Sequence, residues 1–294
     1  MQYDHLGYFE ARLRQIPLEK AGIGGAYLHI KDKNGRFTHG GDQNWWLDDA
    51  MAEKVRSHER LRFKACRKDD HFRLANLGCG VIAMINLEIY LERHHKKNID
   101  AAAPDKSGKA APGSVNFDVD TSMTREDYQA FALKKWHERY HIGKSYVSFK
   151  AGLSPVKMEI GLRKFLTEHE LDRRRVNWAS YVLHTPAKQK ELVLAAIKDM
   201  LDADYPVVFA YHTFDEKNSS INLYRNLEDA LLTKEGKKGN ERVGSHYMTI
   251  LGVFKGNNGE TVLQVESWGR IYYCVYDEFA KKLSYFSNIL CIRP

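Results

Sequence analysis

The chain has 294 residues, of which 43% are hydrophobic, so it is long enough to bury one large core or two small ones. Its 45 basic and 38 acidic residues give a formal net charge of +7, a mild excess spread along the chain that does not indicate nucleic acid as a partner. The four cysteines include no C-x-x-C pair, which excludes a zinc ribbon and a dense disulfide framework and predicts reduced thiols.

The N-terminus lacks the basic stretch and the apolar run of a secretory signal. The longest nearly apolar run, residues 81–91, is interrupted by Asn86 and Glu88 and is too short to span a bilayer. These features predict a cytoplasmic protein that has no membrane partner.

Short strands and a charged helix are predicted at the beginning of the chain. Residues 26–39 read as two strands around an Asn-Gly turn, and a charged, helix-favouring pattern follows at 45–66. We therefore assign residues 1–65 to an N-terminal extension with a hairpin and a helix packed on the core, and residues 66–294 to the main domain.

The next predicted helix begins at Cys79 and is apolar on nearly every side up to Leu91, which is typical of a buried helix. Residues 96–124 follow as a stretch of small residues punctuated by Pro and Gly, without periodicity. This composition predicts a mobile surface loop.

Three further helices are predicted in the middle of the chain. Thr124 is a plausible N-cap for a helix that extends to His141. Ser154-Pro155 begins another helix, since proline favours the first helical position. Residues 191–201 form the third, with an apolar stripe at helical spacing.

The C-terminal part changes character, because it is rich in β-branched and aromatic residues. A polar run at 215–244 separates the first two strands and reads as a loop with a short helix. Helices followed by an antiparallel sheet predict an α+β architecture. The predicted strands are 205–211, 247–254, 261–265 and 271–276.

A candidate nucleophile stands at the start of the buried helix. A thiol becomes nucleophilic when its thiolate is stabilised, and the first turn of a helix does this through unpaired N–H groups and the positive end of its dipole. Cys79 has this position. Gly78 and Gly80 leave room for a tight turn and for a substrate carbonyl, whose oxyanion the backbone N–H groups could stabilise.

A candidate base lies in a predicted hairpin. Two apolar strands flank a Gly-Asn-Asn-Gly turn, and a turn centred on residues 257–258 puts Glu266 opposite Thr249. His246 and Glu266 then share the open end of the hairpin. A carboxylate there can orient the imidazole and support a thiolate-imidazolium pair.

Four segments together resemble a known family of enzymes. They are Gly78-Cys79-Gly80 opening an apolar helix, Tyr205-Pro-Val-Val-Phe209, His246-Tyr-Met-Thr-Ile-Leu-Gly-Val253 and Val265-Glu-Ser-Trp-Gly269. This order resembles papain-like cysteine peptidases, and it is closest in pattern to the branch that processes bacteriocin leaders and its bacterial relatives.

The resemblance implies a papain-like fold, with a helical lobe carrying Cys79 and a β lobe carrying His246 on either side of a cleft. It implies a peptide or protein substrate, cleaved through a thioester. Trp268 resembles the tryptophan that shields the histidine pair from water.

The chain has Glu266 where the family has Asn or Asp, and it lacks the family's oxyanion glutamine, for which Asn76 is a weak substitute. A papain-fold module that binds a partner without catalysis is therefore an alternative.

A competing motif is His137-Glu138-Arg139-Tyr140-His141, the H-E-x-x-H spacing that binds zinc on a helix, with the glutamate as base. Arg139 puts a charge where such helices normally carry uncharged residues, and no third ligand stands out downstream. We therefore predict a solvated helix face and no cofactor, with a zinc metallohydrolase using His137, Glu138 and His141 as the alternative.

Overall fold

The computed structural model describes eleven stretches of the chain, and it divides the chain into two compact units. Residues 27–173 form the helical unit, and residues 1–26 with 174–294 form the sheet unit. The described stretches are 20–24, 27–47, 69–95, 123–142, 152–169, 176–178, 186–212, 220–231, 239–256, 259–283 and 287–292.

The helical unit begins with the predicted hairpin, formed by the strands β2 (His29–Lys31) and β3 (Phe37–His39). Asp32 organises its turn, because its carboxylate accepts hydrogen bonds from the N–H groups of Asn34 and Arg36. Gly35 supplies the left-handed backbone, at φ 76°. The Asn-Gly turn predicted from the sequence is therefore confirmed.

Strand β2 also pairs in parallel with β4 (Met123–Thr124), which gives a three-stranded sheet in the order β3-β2-β4. This pairing joins the hairpin to β4 within the helical unit, and the predicted boundary at residue 65 stays a prediction. The predicted helix at 45–66 and most of the predicted loop at 96–124 lie outside the described residues. A 3-10 helix, Gln43–Trp46, is seen where that predicted helix begins.

Two helices meet almost at a right angle at Gly78. They are α1 (Asp70–Leu77) and α2 (Cys79–His94), bent by 87°. Gly78 ends the first by donating to the Leu74 carbonyl at 2.9 Å and starts the second by accepting from Ile82 N–H at 2.9 Å. Within the described residues no single helix is long and apolar enough to cross a membrane, although this bent pair meets the criteria of length and composition together.

The two polar residues in the apolar run of α2 are buried and hydrogen bonded. The amide oxygen of Asn86 accepts from the Tyr128 hydroxyl at 2.7 Å and from the Gly41 backbone at 3.2 Å. The carboxylate of Glu88 accepts from the Tyr140 hydroxyl at 2.5 Å and pairs with Arg139 at 2.6 Å. Both residues thus join α2 to its neighbours through hydrogen bonds.

The helices predicted from Thr124 and from Ser154 are confirmed. Thr124 caps α3 (Arg125–Lys135), which continues as a π-helix, Trp136–Tyr140. Ser154 caps α4 (Pro155–Glu168). The inner face of α4 is buried as predicted, at Met158, Leu162, Phe165 and Leu166.

The sheet unit is built around one long strand, β9 (His246–Lys255). One edge of β9 pairs with β10 (Thr261–Ser267), which in turn pairs with β11 (Arg270–Val275). Its other edge is shared by β1 (Lys20–Gly22) and β6 (Val207–Tyr211). All these pairs are antiparallel, so the predicted α+β class is confirmed.

Shorter elements complete the sheet unit. The predicted helix at 191–201 is confirmed within the longer α5 (Pro186–Asp202). The polar run at 215–244 contains the predicted short helix, α6 (Leu227–Leu231), and also a two-stranded sheet that was not predicted, β7 (Ile221–Leu223) with β8 (Glu241–Val243). The remaining elements are β5 (Val176–Trp178), α7 (Tyr276–Ala280) and β12 (Leu290–Ile292), with β12 pairing β5.

Removing Arg139 from its buried ion pair with Glu88 should destabilise the protein far more than removing Lys134 from its exposed pair with Glu138. Arg139→Met leaves the Glu88 carboxylate without its guanidinium, and we expect a loss of about 3 kcal/mol in the free energy of unfolding. Lys134→Met, which removes a half-exposed partner of Glu138 at 3.9 Å, should cost about 0.5 kcal/mol or less. Urea unfolding at pH 7 measures both.

The loss of unfolding free energy in Arg139→Met should also depend on pH. Burial raises the pKa of Glu88 from 4.5 to about 7 even beside Arg139, so the folded protein holds this proton more tightly than the unfolded chain does. Without Arg139 the pKa of Glu88 in the folded state rises further, so the variant must still take up a proton on folding at a pH where wild type does not. The destabilisation by Arg139→Met should therefore grow as the pH rises from 6 to 8. Equal small losses for both variants at every pH would contradict this account.

Candidate functional site

Cys79 is the first residue of α2, and its side chain is half-buried. The N–H groups in the first turn of a helix have no partner within the helix, and they lie at the positive end of its dipole. No side chain caps this end, since the N-cap residue is Gly78. The thiol thus lies where helix geometry favours an anion, as the sequence predicts.

Gly78 is required at this bend by close packing. A Cβ at this position would overlap the carbonyl oxygen of Leu74, which already accepts the Gly78 N–H. Its backbone angles, φ −85° and ψ 0°, are open to other residues, so it is space rather than backbone freedom that selects glycine. The turn in front of Cys79 is therefore fixed by the last carbonyls of α1.

The other cysteines that the structure describes have a different environment. Cys274 lies in β11 and Cys291 in β12, and both are fully buried. Burial raises the pKa of each thiol well above its ordinary value. Among the described cysteines, Cys79 is thus the one that is not fully buried; Cys66 lies outside the described residues.

The side chain of Asn76 makes a hydrogen bond within its own helix. Its Nδ2 donates to the carbonyl oxygen of Phe72 at 2.8 Å, one turn earlier in α1. This bond directs the amide back along its own helix. Arg73, near the position of the family's glutamine, is buried, pairs with the half-buried Asp70 and lies over the Trp136 ring at 5.9 Å. Backbone N–H groups at the start of α2 are the better candidate for stabilising an oxyanion.

His246 begins β9 in the sheet unit and is only 8% exposed. Its Nε2 lies 2.7 Å from the hydroxyl oxygen of Ser267, the last residue of β10. Its ring stacks on Trp268, with centroids 4.5 Å apart and planes at 26°. These two contacts hold the imidazole on two sides, and the contact with Trp268 agrees with the shielding role that the resemblance implies.

Trp268 occupies a strained turn. Trp268 and Gly269 are the two residues between β10 and β11, and both have positive φ, at 50° and 68°. A left-handed backbone is routine for glycine, but for tryptophan it costs about 1–2 kcal/mol. The edge of Tyr272 packs against the indole at 6.3 Å and 89°. The turn thus presents the indole ring to His246 at an energetic cost.

Glu266 does not make the contact predicted for it. Its carboxylate is buried, and its Oε1 accepts from the Gly269 N–H at 3.3 Å. The described hydrogen bond of His246 goes to Ser267, the next residue. Ser267 is thus the residue that the described hydrogen bond brings to His246, and the orienting role of Glu266 stays a prediction.

The predicted pairing of Glu266 with Thr249 is confirmed. The two faces of the sheet separate Glu266 from His246. Alternate residues of a strand face opposite sides of a sheet, and His246 is three positions from Thr249. Glu266 shares the face of Thr249, whereas Ser267 returns to the face of His246. The sequence therefore contained the signal for Ser267, in the spacing between His246 and Thr249.

A β-bulge produces this register. Close to the turn Thr261 lies opposite Lys255, one position away from the prediction, and the register shifts between Gln264 and Val265. Leu251 is the extra residue in β9. It lies where the neighbouring strand changes from β1 to β6, and its carbonyl accepts from Ile23 N–H at 3.1 Å.

Burial lowers the pKa of His246 from 6.5 to about 4. The ring is taken out of water, and its hydrogen-bond partner is a neutral hydroxyl that brings no compensating charge. His246 is therefore neutral at pH 7 and has a lone pair available to accept a proton.

The H-E-x-x-H segment serves the packing of the helical unit. His137 is 61% exposed and lies 4.0 Å from Asp70, whereas Glu138 pairs with Lys134 and Lys135. His141 lies beyond the π-helix and packs edge-on against Trp136. Within the described residues no three His, Cys, Asp or Glu side chains are arranged to hold a metal ion.

The predicted solvated face is correct for His137 and Glu138 only. The side chains of Arg139 and Tyr140 point inward and meet Glu88, and Arg139 also pairs with Glu168. The charge that sets this motif apart from zinc-binding helices thus belongs to a buried ion pair.

No protein-family model, curated protein or solved structure matches this chain.

The buried histidine predicts a pH dependence of stability. The folded protein binds the proton of His246 only near pH 4, whereas the unfolded chain binds it near 6.5, so stability falls as the pH drops through this window. The full shift corresponds to about 3 kcal/mol. Urea unfolding of wild type and of His246→Gln should show a smaller loss for the variant between pH 7 and pH 4.

The matched control is His137→Gln, which removes an exposed histidine. Its pH dependence should follow that of wild type. A His246→Gln variant that loses as much stability as wild type on acidification would refute the assignment of this titration to His246.

Proposed function

We propose that the chain is a cysteine peptidase or related amide hydrolase, with Cys79 as nucleophile and His246 as the base. The observation that carries the proposal is the position of Cys79, a half-buried thiol at the first residue of a buried helix. Two other cysteines, Cys274 and Cys291, are sealed in strands. The resemblance of the flanking segments to papain-like peptidases supports the same assignment.

The chemistry follows from these two side chains. The Cys79 sulfur attacks the carbonyl carbon of an amide while its proton passes to His246. The carbon–nitrogen bond then breaks as His246 returns that proton to the departing amine, leaving a thioester. Water attacks the thioester, which releases the acid and restores the thiol; an amine in place of water gives acyl transfer. Backbone N–H groups of the first turn of α2 would stabilise the oxyanion at each step.

The neutral state of His246 bears on the first step. A ring with a pKa of about 4 is not protonated at pH 7, so the proton moves from thiol to imidazole during attack. A nearby thiolate would raise this pKa, since an anion favours the charged ring.

Selective alkylation tests the nucleophile. We expect iodoacetamide at pH 7.5 to label Cys79 at least roughly tenfold faster than Cys274 and Cys291, because buried thiols of raised pKa offer little accessible thiolate. Peptide mapping by mass spectrometry gives the three rates. Equal, slow labelling of all three cysteines would remove Cys79 from the proposal.

The base is tested on the same reaction. His246→Asn should slow the labelling of Cys79 by roughly tenfold or more, because the thiol loses its proton acceptor. His137→Asn, which removes an exposed histidine, is the matched control and should leave the rate unchanged. A rate that does not depend on His246 would leave Cys79 a reactive thiol without a catalytic base.

A binding module without catalysis is the second candidate, favoured by the Asn76 amide, which is committed to Phe72 rather than to an oxyanion. A peptidyl vinyl sulfone separates the two. The hydrolase should form a covalent adduct at Cys79 that is lost in Cys79→Ala and retained in Cys274→Ala. Reaction with iodoacetamide but not with any peptidyl probe would favour the binding module.

A further inference from the structure

The contact between His246 and Ser267 has the geometry of a positioning bond. The Nε2–Oγ distance of 2.7 Å is short for a nitrogen–oxygen hydrogen bond, and Ser267 is only 4% exposed. Ser267 belongs to β10, and β10 pairs with β9 along one edge and with β11 along the other. A hydroxyl fixed on a central strand holds a ring more firmly than one on a loop.

The bond also distinguishes the two ring nitrogens. One nitrogen of a neutral imidazole carries hydrogen and the other a lone pair. If Nε2 carries the hydrogen and donates it to Ser267 Oγ, the lone pair remains on Nδ1. Stacking on Trp268 prevents the ring from tilting away from this arrangement. Ser267 and Trp268 together therefore hold the ring in one orientation, with Nε2 on the Ser267 hydroxyl.

Glu266 lies on the other face of β10 and so cannot take this role without a change of register. Its face is shared with Thr249, directly opposite, whose hydroxyl is fully buried and makes no hydrogen bond in the part of the chain that the structure describes. The two faces thus allow two buried hydroxyl groups to be compared. The hydroxyl of Ser267 is bonded to His246, whereas the hydroxyl of Thr249 lies on the other face and is not bonded to it.

We propose that Ser267 is the positioning residue of His246, accepting a hydrogen bond from Nε2–H so that Nδ1 is the nitrogen that takes the proton of Cys79. This inference rests on the proposed function for the identity of the proton donor. Its structural half, the bond and the tautomer, stands on the sheet unit alone.

The tautomer is tested without any substrate. Long-range ¹H–¹⁵N spectra of histidine-labelled protein at pH 7 should show hydrogen on Nε2 and a bare Nδ1 for His246 in wild type. Ser267→Ala should give a mixture of tautomers, and Ser267→Thr, which keeps the hydroxyl, should restore the wild-type pattern. Hydrogen on Nδ1 in wild type would overturn the inference.

The role in reactivity is tested on the alkylation of Cys79. Ser267→Ala should lower its rate at pH 7.5 by roughly tenfold and alter its pH profile, as loss of an orienting partner does elsewhere. Ser267→Thr should recover most of the rate. Thr249→Val is the matched control, because it removes a buried hydroxyl of similar size from the neighbouring strand and should leave both rate and profile unchanged.

Glu266→Gln separates the two possible orienting residues. If it slows Cys79 more than Ser267→Ala does while the tautomer of His246 also changes, Glu266 is the positioning residue and the inference is wrong. If the tautomer responds to Ser267 but Cys79 is unreactive in wild type, the proposed function fails while the bond and its tautomer remain. Unfolding free energies of every variant distinguish these effects from a loss of structure.

Discussion

The pairing of β9 with β10 is the constraint on which the candidate site depends. Because side chains alternate along a strand, the register decides whether position 266 or position 267 meets His246. One extra residue, Leu251, sets that register at the far end of the hairpin. It lies at the point where the opposite edge of β9 changes partner from β6 to β1. The extra residue therefore does not interrupt the pairing of β9 with either of those strands.

The helical unit solves a different problem, which is how to bury a helix that carries polar groups. Asn86 and Glu88 interrupt the apolar run of α2, and each is met by donors from other elements. Arg139 and Tyr140 reach Glu88 together because the π-helix turns both side chains inward. The H-E-x-x-H segment thus contributes to a buried ion pair, and the two histidines of the segment lie in separate environments.

Sequence patterns predicted much of this structure where local chemistry decides it. The caps at Thr124 and Ser154, the Asn-Gly hairpin and the strands β6, β9 and β10 follow from the sequence, since each depends on a few neighbouring residues. The short strand β1, which also pairs with β9, is not predicted. The contact between Ser267 and His246 is not predicted, because it depends on strand parity across a bulge, a long-range feature. The bond of the Asn76 amide is not predicted either, because a carbonyl one turn earlier competes for that amide.

The turn at Trp268 has a consequence for how sequences of this kind can change. Its left-handed backbone suits glycine or asparagine, so folding alone would favour replacing the tryptophan. Stacking on His246 favours keeping it. Position 268 is therefore a site where the backbone and the contact with His246 favour different residues. A population evolved only for heat resistance should lose the indole early, whereas one that is also selected for the proposed hydrolase activity should retain it and accept the weaker turn.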